Sequence, residues 1–113
     1  MKALVISPDG SVEVKNLNGY KDFVTELDGG YIELLHLTDD AHAYLDEDGK
    51  SKNLPINQRA TSLLQDELKI GLHPNDFIVG KLIILGCLNE DGIHDGEEYD
   101  IPEHLIKRII GDE

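Results

Sequence analysis

The sequence has 113 residues, 40% of them apolar, and it carries 10 Lys and Arg against 23 Asp and Glu, which is a formal net charge of −13. This length fits one domain, and the apolar share is enough to build a core, so two independent domains and charge-driven disorder are both excluded. The acidity excludes direct binding of nucleic acid or of an anionic membrane through a basic surface, because the field of the protein repels both.

The single cysteine and the short apolar runs bear on the compartment. One cysteine cannot form an internal disulfide, which is typical of a protein in the reducing cytoplasm. The longest nearly apolar run, Leu82 to Leu88, is far shorter than the roughly 20 residues that a membrane helix needs. We therefore expect a cytoplasmic protein with no membrane partner.

The first half of the chain alternates strand and helix patterns. Two short β-prone runs, Lys2 to Ile6 and Ser11 to Val14, flank a Pro-Asp-Gly sequence that favours a turn, and they predict an N-terminal hairpin. Apolar residues at helical spacing predict a helix near residues 20–28, which the following glycine pair ends. Two further β-rich runs, Tyr31 to Leu37 and Ala41 to Leu45, predict an antiparallel pair, and the acidic stretch Asp46 to Gly49 that follows predicts a solvated turn.

The second half contains a helix, a long apolar strand and a last helix. Apolar positions at helical spacing predict the first of these helices over residues 57–69. Phe77 to Leu88 is a β-branched run interrupted by Gly80 and Gly86, as in a central strand with a bulge or a close contact. A proline opens the last helix near residues 102–110.

These elements predict one α+β domain over residues 1–113, with a mostly antiparallel sheet packed by two or three helices. The predicted strand Phe77 to Leu88 needs cover on both faces. The last helix carries the apolar pairs Leu105-Ile106 and Ile109-Ile110, and a second copy of the chain would cover such a surface. We therefore expect a homo-oligomer.

An acidic loop from Cys87 to Glu98 resembles a calcium-binding loop in its spacing. Oxygen ligands and a glycine turn fall at most of the template positions. The first position should be Asp but is Cys87, whose sulfur is a poor calcium ligand, and a strand precedes the loop where the motif has a helix. An ordinary acidic loop is the favoured interpretation, and calcium binding is the alternative.

Two histidines, His36 and His42, pair across neighbouring strands if a three-residue loop over Thr38 to Asp40 connects those strands. Side chains so placed can hold a metal or respond to pH, but no third ligand is evident, so surface histidines beside Tyr44 are the favoured interpretation. Cys87 lies in an apolar run and is expected to be a small buried side chain.

The sequence has no motif of an established catalytic site. It contains no Walker loop, no dinucleotide-binding fingerprint and no nucleophile elbow. We therefore expect a protein that is not an enzyme and that uses no cofactor and no metal.

The segment with the strongest claim to a binding site begins the predicted helix over residues 57–69. Asn57, Gln58, Arg59 and Thr61 lie where free backbone N–H groups and the positive end of the helix dipole suit a phosphate or a carboxylate. Arg59 is one of only two arginines in an acidic chain. The alternative is structural, in which Asn57 caps the helix and Arg59 pairs with a surface carboxylate.

The N-terminal stretch Met1 to Gly10 is followed by four other distinctive stretches: Asp28 to Glu33, Tyr44 to Lys50, Leu54 to Thr61 and Asn75 to Gly86. Together they resemble a small family that is catalogued only as a domain of unknown function, whose members are typically encoded by phages, plasmids and other mobile elements. The resemblance covers residues 1–86, with Leu-Pro-x-Asn and Asp-x-Ile-x-Gly as its motifs. It implies a family-like core over 1–86, an acidic loop and C-terminal helix over 87–113, and a phage or mobile-element context without an assigned chemistry.

Two leading hypotheses follow. The first is a phage or mobile-element accessory protein in the host cytoplasm that binds and sequesters a small anionic, nucleotide-like signal of host defence through Asn57, Gln58, Arg59 and Thr61. The negative field of the protein opposes such a ligand. We nevertheless rank this hypothesis first, because a defined polar motif in a small virus-borne domain indicates a binding role. The second is an acidic DNA mimic or decoy that inhibits a basic host protein.

The decoy hypothesis assigns its binding surface to the acids of the loop. These acids are Glu90, Asp91, Asp95, Glu97 and Glu98. A third hypothesis is a structural or regulatory protein that acts through a sheet edge or through its last helix.

Overall fold

A run of branched apolar residues, Leu82–Gly86, forms the middle strand of an antiparallel sheet. The structure is a computed structural model that describes residues 1–29, 31–68, 76–87, 89–90, 93–94 and 99–111, and for 89–90 and 93–94 it describes the backbone alone. The strands are β1 (Lys2–Ile6), β2 (Val12–Asn16), β3 (Ile32–Thr38), β4 (Ala41–Asp46), β5 (Leu82–Gly86), β6 (Asn89–Glu90) and β7 (Ile93–His94). The helices are α1 (Tyr20–Leu27), α2 (Gln58–Ser62), a π-helical segment (Leu63–Glu67) and α3 (Glu103–Ile110).

The main sheet has the strand order β2-β1-β5-β4-β3, and each neighbouring pair is antiparallel. Helices pack on this sheet, so the described residues form one compact domain, and the predicted α+β fold class is confirmed. β6 and β7 form a separate two-stranded antiparallel sheet. Within the described ranges, no helix has the length and the apolar character that crossing a membrane requires.

The sheet is covered on both faces. Successive residues of a strand point to opposite sides, so β5 supplies apolar side chains to both of these faces. On one face, Ile83 and Leu85 of β5 pack with Phe23 of α1. On the other face, Leu82 and Ile84 pack with residues of α2, the π-helical segment and α3. Each fully buried side chain of this size stabilises the fold by about 1.5–3 kcal/mol, so the cover on both faces is the main source of stability.

The predicted strand Phe77 to Leu88 is wrong in length, because only Leu82–Gly86 lies in the sheet. The backbone before β5 bonds to the start of α2 instead. The N–H of Ile78 donates to the hydroxyl of Thr61 at 2.9 Å, and the carbonyl of Ile78 accepts from the N–H of Asn57 at 2.7 Å. A segment whose backbone groups are used in this way cannot continue the ladder of the sheet.

Two glycines bound the sheet part of this run. Gly80 has a φ of 71°, which favours glycine, and it turns the chain into β5. A Cβ atom on Gly86 would lie 2.2 Å from the carbonyl oxygen of Asp100. Gly86 also exchanges backbone hydrogen bonds with Tyr99 at 2.8 and 3.0 Å, so the close contact predicted from the sequence is confirmed here.

Two other predicted elements differ at their ends. β2 runs to Asn16 because Asn16 pairs with Lys2, the first residue of β1. The predicted helix over 57–69 is regular only over Gln58–Ser62. The chain then widens into the π-helical segment, where the N–H of Leu68 donates to the carbonyl of Leu63 at 2.8 Å.

The predicted last helix is confirmed as α3, and its apolar side packs into the core. Leu105 and Ile109 are buried, whereas Ile110 is exposed. The core of the monomer therefore covers much of the apolar surface on which the expectation of a homo-oligomer rests. The homo-oligomer stays a prediction.

Candidate functional site

Asn57, the first residue of the predicted site, is buried at the start of α2. Its side-chain oxygen accepts from the N–H of Ala60 at 3.0 Å, which confirms the alternative that it caps the helix. Its side-chain nitrogen donates to the carbonyls of Ile6 at 2.9 Å and Gly80 at 2.8 Å. Asn57 therefore joins three separate stretches of backbone, as an amide with both donor and acceptor capacity allows.

Thr61 also uses its hydroxyl inside the protein. The hydroxyl donates to the carbonyl of Asn57 at 2.8 Å and accepts from the N–H of Ile78 at 2.9 Å. Gln58, in contrast, is exposed. The structure thus brings Asn57 and Thr61 together, but their polar groups hold the segment before β5 in place.

Arg59 reaches from α2 to the end of α3. Its guanidinium Nη2 donates to the carbonyl of Ile109 at 2.8 Å, so its partner is a backbone carbonyl rather than the carboxylate expected in the structural alternative. A positive group at a helix C-terminus is favourable, because it bonds a free carbonyl and opposes the negative end of the dipole.

A small pocket of about 130 Å³ lies between α2 and α3 beside Arg59. It is smaller than the roughly 300 Å³ at which typical ligand pockets begin. Glu67 lines it as well and would repel an anion. The small-anion site stays a prediction.

His36 and His42 pair across β3 and β4, but the three-residue loop over Thr38 to Asp40 is wrong, because Thr38 pairs with Ala41 and the register shifts between His36 and Thr38. His36 is exposed, but His42 is only 1% exposed and its ring centre lies 5.2 Å from that of Tyr44. The prediction of surface histidines is therefore wrong for His42, because β4 lies between β3 and β5. Within the described residues, no group of three or more His, Cys, Asp and Glu side chains could hold a metal ion.

Most side chains of the predicted acidic loop, Cys87 to Glu98, lie outside the described residues. The side chains of the five acids that the decoy hypothesis assigns to its surface lie outside them as well. Cys87 itself is buried, as predicted. Its N–H donates to the carbonyl of Asp40 at 3.0 Å, which ties the end of β5 to the turn between β3 and β4.

A cleft of about 430 Å³, which we call the acidic cleft, opens where the end of the β3–β4 pair meets the segment before β5. The buried part of its lining is largely apolar, and the exposed part carries most of its charge. Its lining residues are Glu33, Leu35, Leu45, Asp46, Glu47, Lys50, Ser51, Asp76, Phe77, Ile78 and Val79.

Glu33 places a carboxylate beside this apolar lining. It pairs with Leu45 across β3 and β4, and it lies on the same face of β3 as Leu35, because side chains two residues apart share a face. Glu47 adds a second exposed carboxylate to the cleft. A side chain with an apolar stem and a positively charged end, such as Lys or Arg, suits this arrangement.

Lys50 demonstrates how the acidic cleft holds a cation. Its ammonium group bonds to the carboxylate of Asp76 and lies 4.8 Å from the ring centre of Phe77. Asp76 is held in turn by Gln65, whose side chain donates to the Asp76 carbonyl at 2.8 Å. The Asp76 carboxylate also accepts from the N–H of Phe77 at 2.8 Å.

Asp46 carries a buried carboxylate at the end of β4, only 4% exposed. The carboxylate accepts from the ammonium of Lys52 at 2.7 Å and from the N–H of Asp48 at 2.9 Å. The hydrogen bond to Asp46 raises the pKa of Lys52. The prediction of a solvated turn is therefore wrong for Asp46, which holds that turn in shape.

The basic residues of the described part compensate few of its carboxylates. Lys15 and Lys81 bind the same carboxylate of Glu26, at 2.8 and 3.2 Å. Arg59 and Arg108 both donate to backbone carbonyls, at 2.8 and 2.6 Å. Much of the negative charge is therefore left facing solvent.

Two carboxylates have a lowered pKa because basic groups bond to them. Burial raises the pKa of Glu26, but hydrogen bonds from Lys15 and Lys81 outweigh it, and the pKa lies below its ordinary value. Burial also raises the pKa of Asp40, but hydrogen bonds with His104 at 2.7 Å and Thr38 at 2.8 Å outweigh it, and the pKa lies below its ordinary value. Both groups are ionised at neutral pH.

The model of the family described as "Domain of unknown function (DUF3846)" matches residues 1–111 of the chain. The chain belongs to DUF3846. The resemblance to a domain of unknown function is thereby confirmed, and the match continues past residue 86 to the end of α3. No curated protein and no solved structure matches the chain.

The acidic cleft of this DUF3846 chain combines residues that lie far apart in the sequence. β3 supplies Glu33, the turn after β4 supplies Lys50, and the segment before β5 supplies Asp76 and Phe77. One signal was present, because Asp76 begins the Asp-x-Ile-x-Gly motif. The meeting of these residues depends on the β3–β4 register and on the turn at Gly80, which spacing alone does not reveal.

Proposed function

We propose that this DUF3846 chain is a non-enzymatic protein that binds a positively charged surface of a partner protein. In the phage or mobile-element context that the resemblance implies, the partner is a basic, nucleic-acid-binding protein of the host cytoplasm, and the chain is a decoy for its nucleic acid. One observation carries the proposal: among the described residues, basic side chains are used in contacts that leave most carboxylates uncompensated, as Lys15 and Lys81 on the single carboxylate of Glu26 illustrate.

The exposed carboxylates are spread over strands, helices and turns, which favours a broad electrostatic surface. A net charge of −13 creates a field that steers encounters with a positive cleft and raises the association rate. The exposed carboxylates of the described residues are Asp9, Glu13, Asp28, Glu33, Asp39, Glu47, Asp48, Asp66, Glu67, Asp100 and Glu103.

The small-anion hypothesis is the second candidate. It keeps one supporting observation, because Arg59 is an exposed residue that lines a pocket. We rank it below the decoy, since Asn57 and Thr61 use their polar groups internally and Glu67 lines the same pocket.

Competition against DNA tests the proposal. We expect the chain to displace duplex DNA from a purified basic DNA-binding protein of the host, and added salt to weaken this effect. Polyglutamate of the same net charge is the matched control, and a chain that displaces DNA no better than polyglutamate would contradict the proposal. Tight, calorimetrically measured binding of a nucleotide, lost in Arg59→Ala, would instead support the small-anion hypothesis.

The assembly belongs to the same proposal. We keep the expectation of a homo-oligomer through the last helix, α3, on which Ile110 is 40% exposed. Light scattering at micromolar concentration tests it, and a monomeric mass at the highest soluble concentration would overturn it.

A further inference from the structure

We propose that the acidic cleft and the adjoining edge of β3 together form a docking site for an extended segment of the partner protein, in which Lys or Arg alternates with apolar residues. This inference rests on the proposed function and deepens it, because it assigns the positive partner a place and a sequence pattern.

β3 offers a free edge for strand addition. It ends the sheet order, and within the described residues it pairs with β4 alone. Edge strands of this kind present unpaired backbone N–H and C=O groups to an incoming strand. Glu33 is the one charged residue of β3, whereas β2 at the opposite edge carries Glu13 and Lys15. Charged side chains discourage strand addition at an edge, so β3 is the more open of the two.

The two faces of β3 demand different side chains from an added strand. Glu33 and Leu35 lie on the face of the acidic cleft. Leu34 lies on the other face and is 43% exposed. Because side chains of the added strand also alternate between faces, every second one meets carboxylates and the others meet Leu34. A segment that alternates basic and apolar residues satisfies both faces.

The cleft already contains a cation of the required kind. Lys50 bonds to the carboxylate of Asp76 and lies over the ring of Phe77. A Lys or Arg of the partner would find carboxylates at Glu33 and Glu47, or would displace Lys50 from Asp76 and Phe77. A second copy of this chain fits poorly as the occupant, because it carries the same charge of −13 and would bring carboxylates against carboxylates.

Three synthetic peptides separate strand docking from plain charge attraction. The first alternates Arg and Val, the second has the same composition with all Arg residues in one block, and the third is the alternating peptide with N-methylated backbone amides. Fluorescence anisotropy at physiological salt measures the affinity of each. We expect the alternating peptide to bind about tenfold more tightly than the other two, because it alone bonds to the β3 edge with both faces matched.

Variants of the full chain locate the site. Glu33→Gln should weaken binding of the alternating peptide by about threefold, while Glu13→Gln on β2 leaves it unchanged. Leu34→Thr should weaken it by about fivefold, and its control is Val14→Thr, since Val14 is 44% exposed at the opposite edge. Lys50→Met should tighten binding, because it removes the competing cation and keeps the apolar stem.

The outcomes also distinguish this inference from the proposed function. If the alternating and block peptides bind equally and both lose affinity with salt, the docking site is wrong and the general acidic surface stands. If no cationic peptide binds at physiological salt, both proposals fail. If the controls Glu13→Gln and Val14→Thr weaken binding as much as their partners do, the site lies elsewhere on the sheet and the inference is overturned.

Discussion

The side-chain nitrogen of Asn57 donates to the carbonyl of Gly80 at 2.8 Å, so the last residues of the segments Leu-Pro-x-Asn and Asp-x-Ile-x-Gly bond to each other. Two backbone hydrogen bonds accompany this one, from Asn57 to the carbonyl of Ile78 at 2.7 Å and from Gly80 to the carbonyl of Pro55 at 2.8 Å. Leu-Pro-x-Asn and Asp-x-Ile-x-Gly are therefore the two halves of one structural unit. This unit fixes the segment that carries Asp76 into the acidic cleft.

Substitution of Asn57 tests that role. Asn57→Ala should lower the free energy of unfolding by about 3 kcal/mol, because it leaves two buried carbonyls and one N–H without their partner. Asn57→Asp should be at least as destabilising, since it keeps the helix cap but places a carboxylate against the carbonyls of Ile6 and Gly80. Chemical denaturation measures both. An Asn57→Asp variant as stable as the wild type would mean that Asn57 acts only as a cap.

Arg59 should contribute to stability through α3. Arg59→Ala is expected to lower the free energy of unfolding by about 1 kcal/mol, because the carbonyl of Ile109 loses a charged donor at the helix C-terminus. Lys107→Ala, an exposed position on the same helix, is the control and should change stability much less. Equal stability of Arg59→Ala and the wild type would remove the structural role and return Arg59 to the small-anion hypothesis.

The elements with strong local signals were predictable from the sequence. The hairpin of β1 and β2 and the helix α1 follow from turn residues and periodicity. The pairing of His36 with His42 depends instead on the register shift between His36 and Thr38, which the turn residues do not reveal. The long predicted strand Phe77 to Leu88 failed because apolar composition does not distinguish a strand from a buried segment bonded to a helix start. Its real limit at Gly80 depends on Asn57, which lies 23 residues earlier in the chain.

The site was less predictable than the fold, because polar residues were assigned from local spacing. Asn57 and Thr61 have the types that an anion site needs, but tertiary contacts use them for backbone hydrogen bonds. Asp46 was expected in solvent, and the approach of Lys52 and Gly29 buries it. Long-range packing, which spacing along the chain does not encode, decides both cases.

Stability at low pH should depend on Glu26. The pKa of Glu26 is lowered in the folded state, so the unfolded state binds more protons as the pH falls. The contribution of Glu26 to the free energy of unfolding is therefore fully present above its ordinary pKa of about 4.3. This contribution is lost as the pH falls through the pKa of the folded state. Glu26→Gln should cost up to about 1 kcal/mol at neutral pH and show a shallower loss below about pH 4.3.

Thermal unfolding across this pH range measures the effect of Glu26→Gln. Glu33→Gln, which removes an exposed carboxylate from β3, should leave stability at neutral pH nearly unchanged. A Glu26→Gln variant with the wild-type profile at every pH would show that Lys15 and Lys81 do not stabilise the fold through this carboxylate.

Gly86 should be intolerant of any side chain. Gly86→Ala is expected to cost about 3 kcal/mol, because its Cβ would meet the carbonyl of Asp100, and a backbone atom cannot move aside as a flexible side chain can. Gly10→Ala is the comparison: it has a φ of 91° but open space around it, so it should cost only about 1 kcal/mol. If both substitutions lower the free energy of unfolding equally, Gly86 is not in close contact with the carbonyl of Asp100, and this prediction is wrong.

Amide chemical-shift mapping with the alternating Arg-Val peptide tests the central claim most directly. The account predicts that the largest shifts cluster on β3 and around the acidic cleft, with Glu33, Leu34, Lys50 and Phe77 among them, and that the block peptide produces smaller shifts. Perturbations spread evenly over the acidic surface, or centred on β2 or α3, would contradict the docking site at β3.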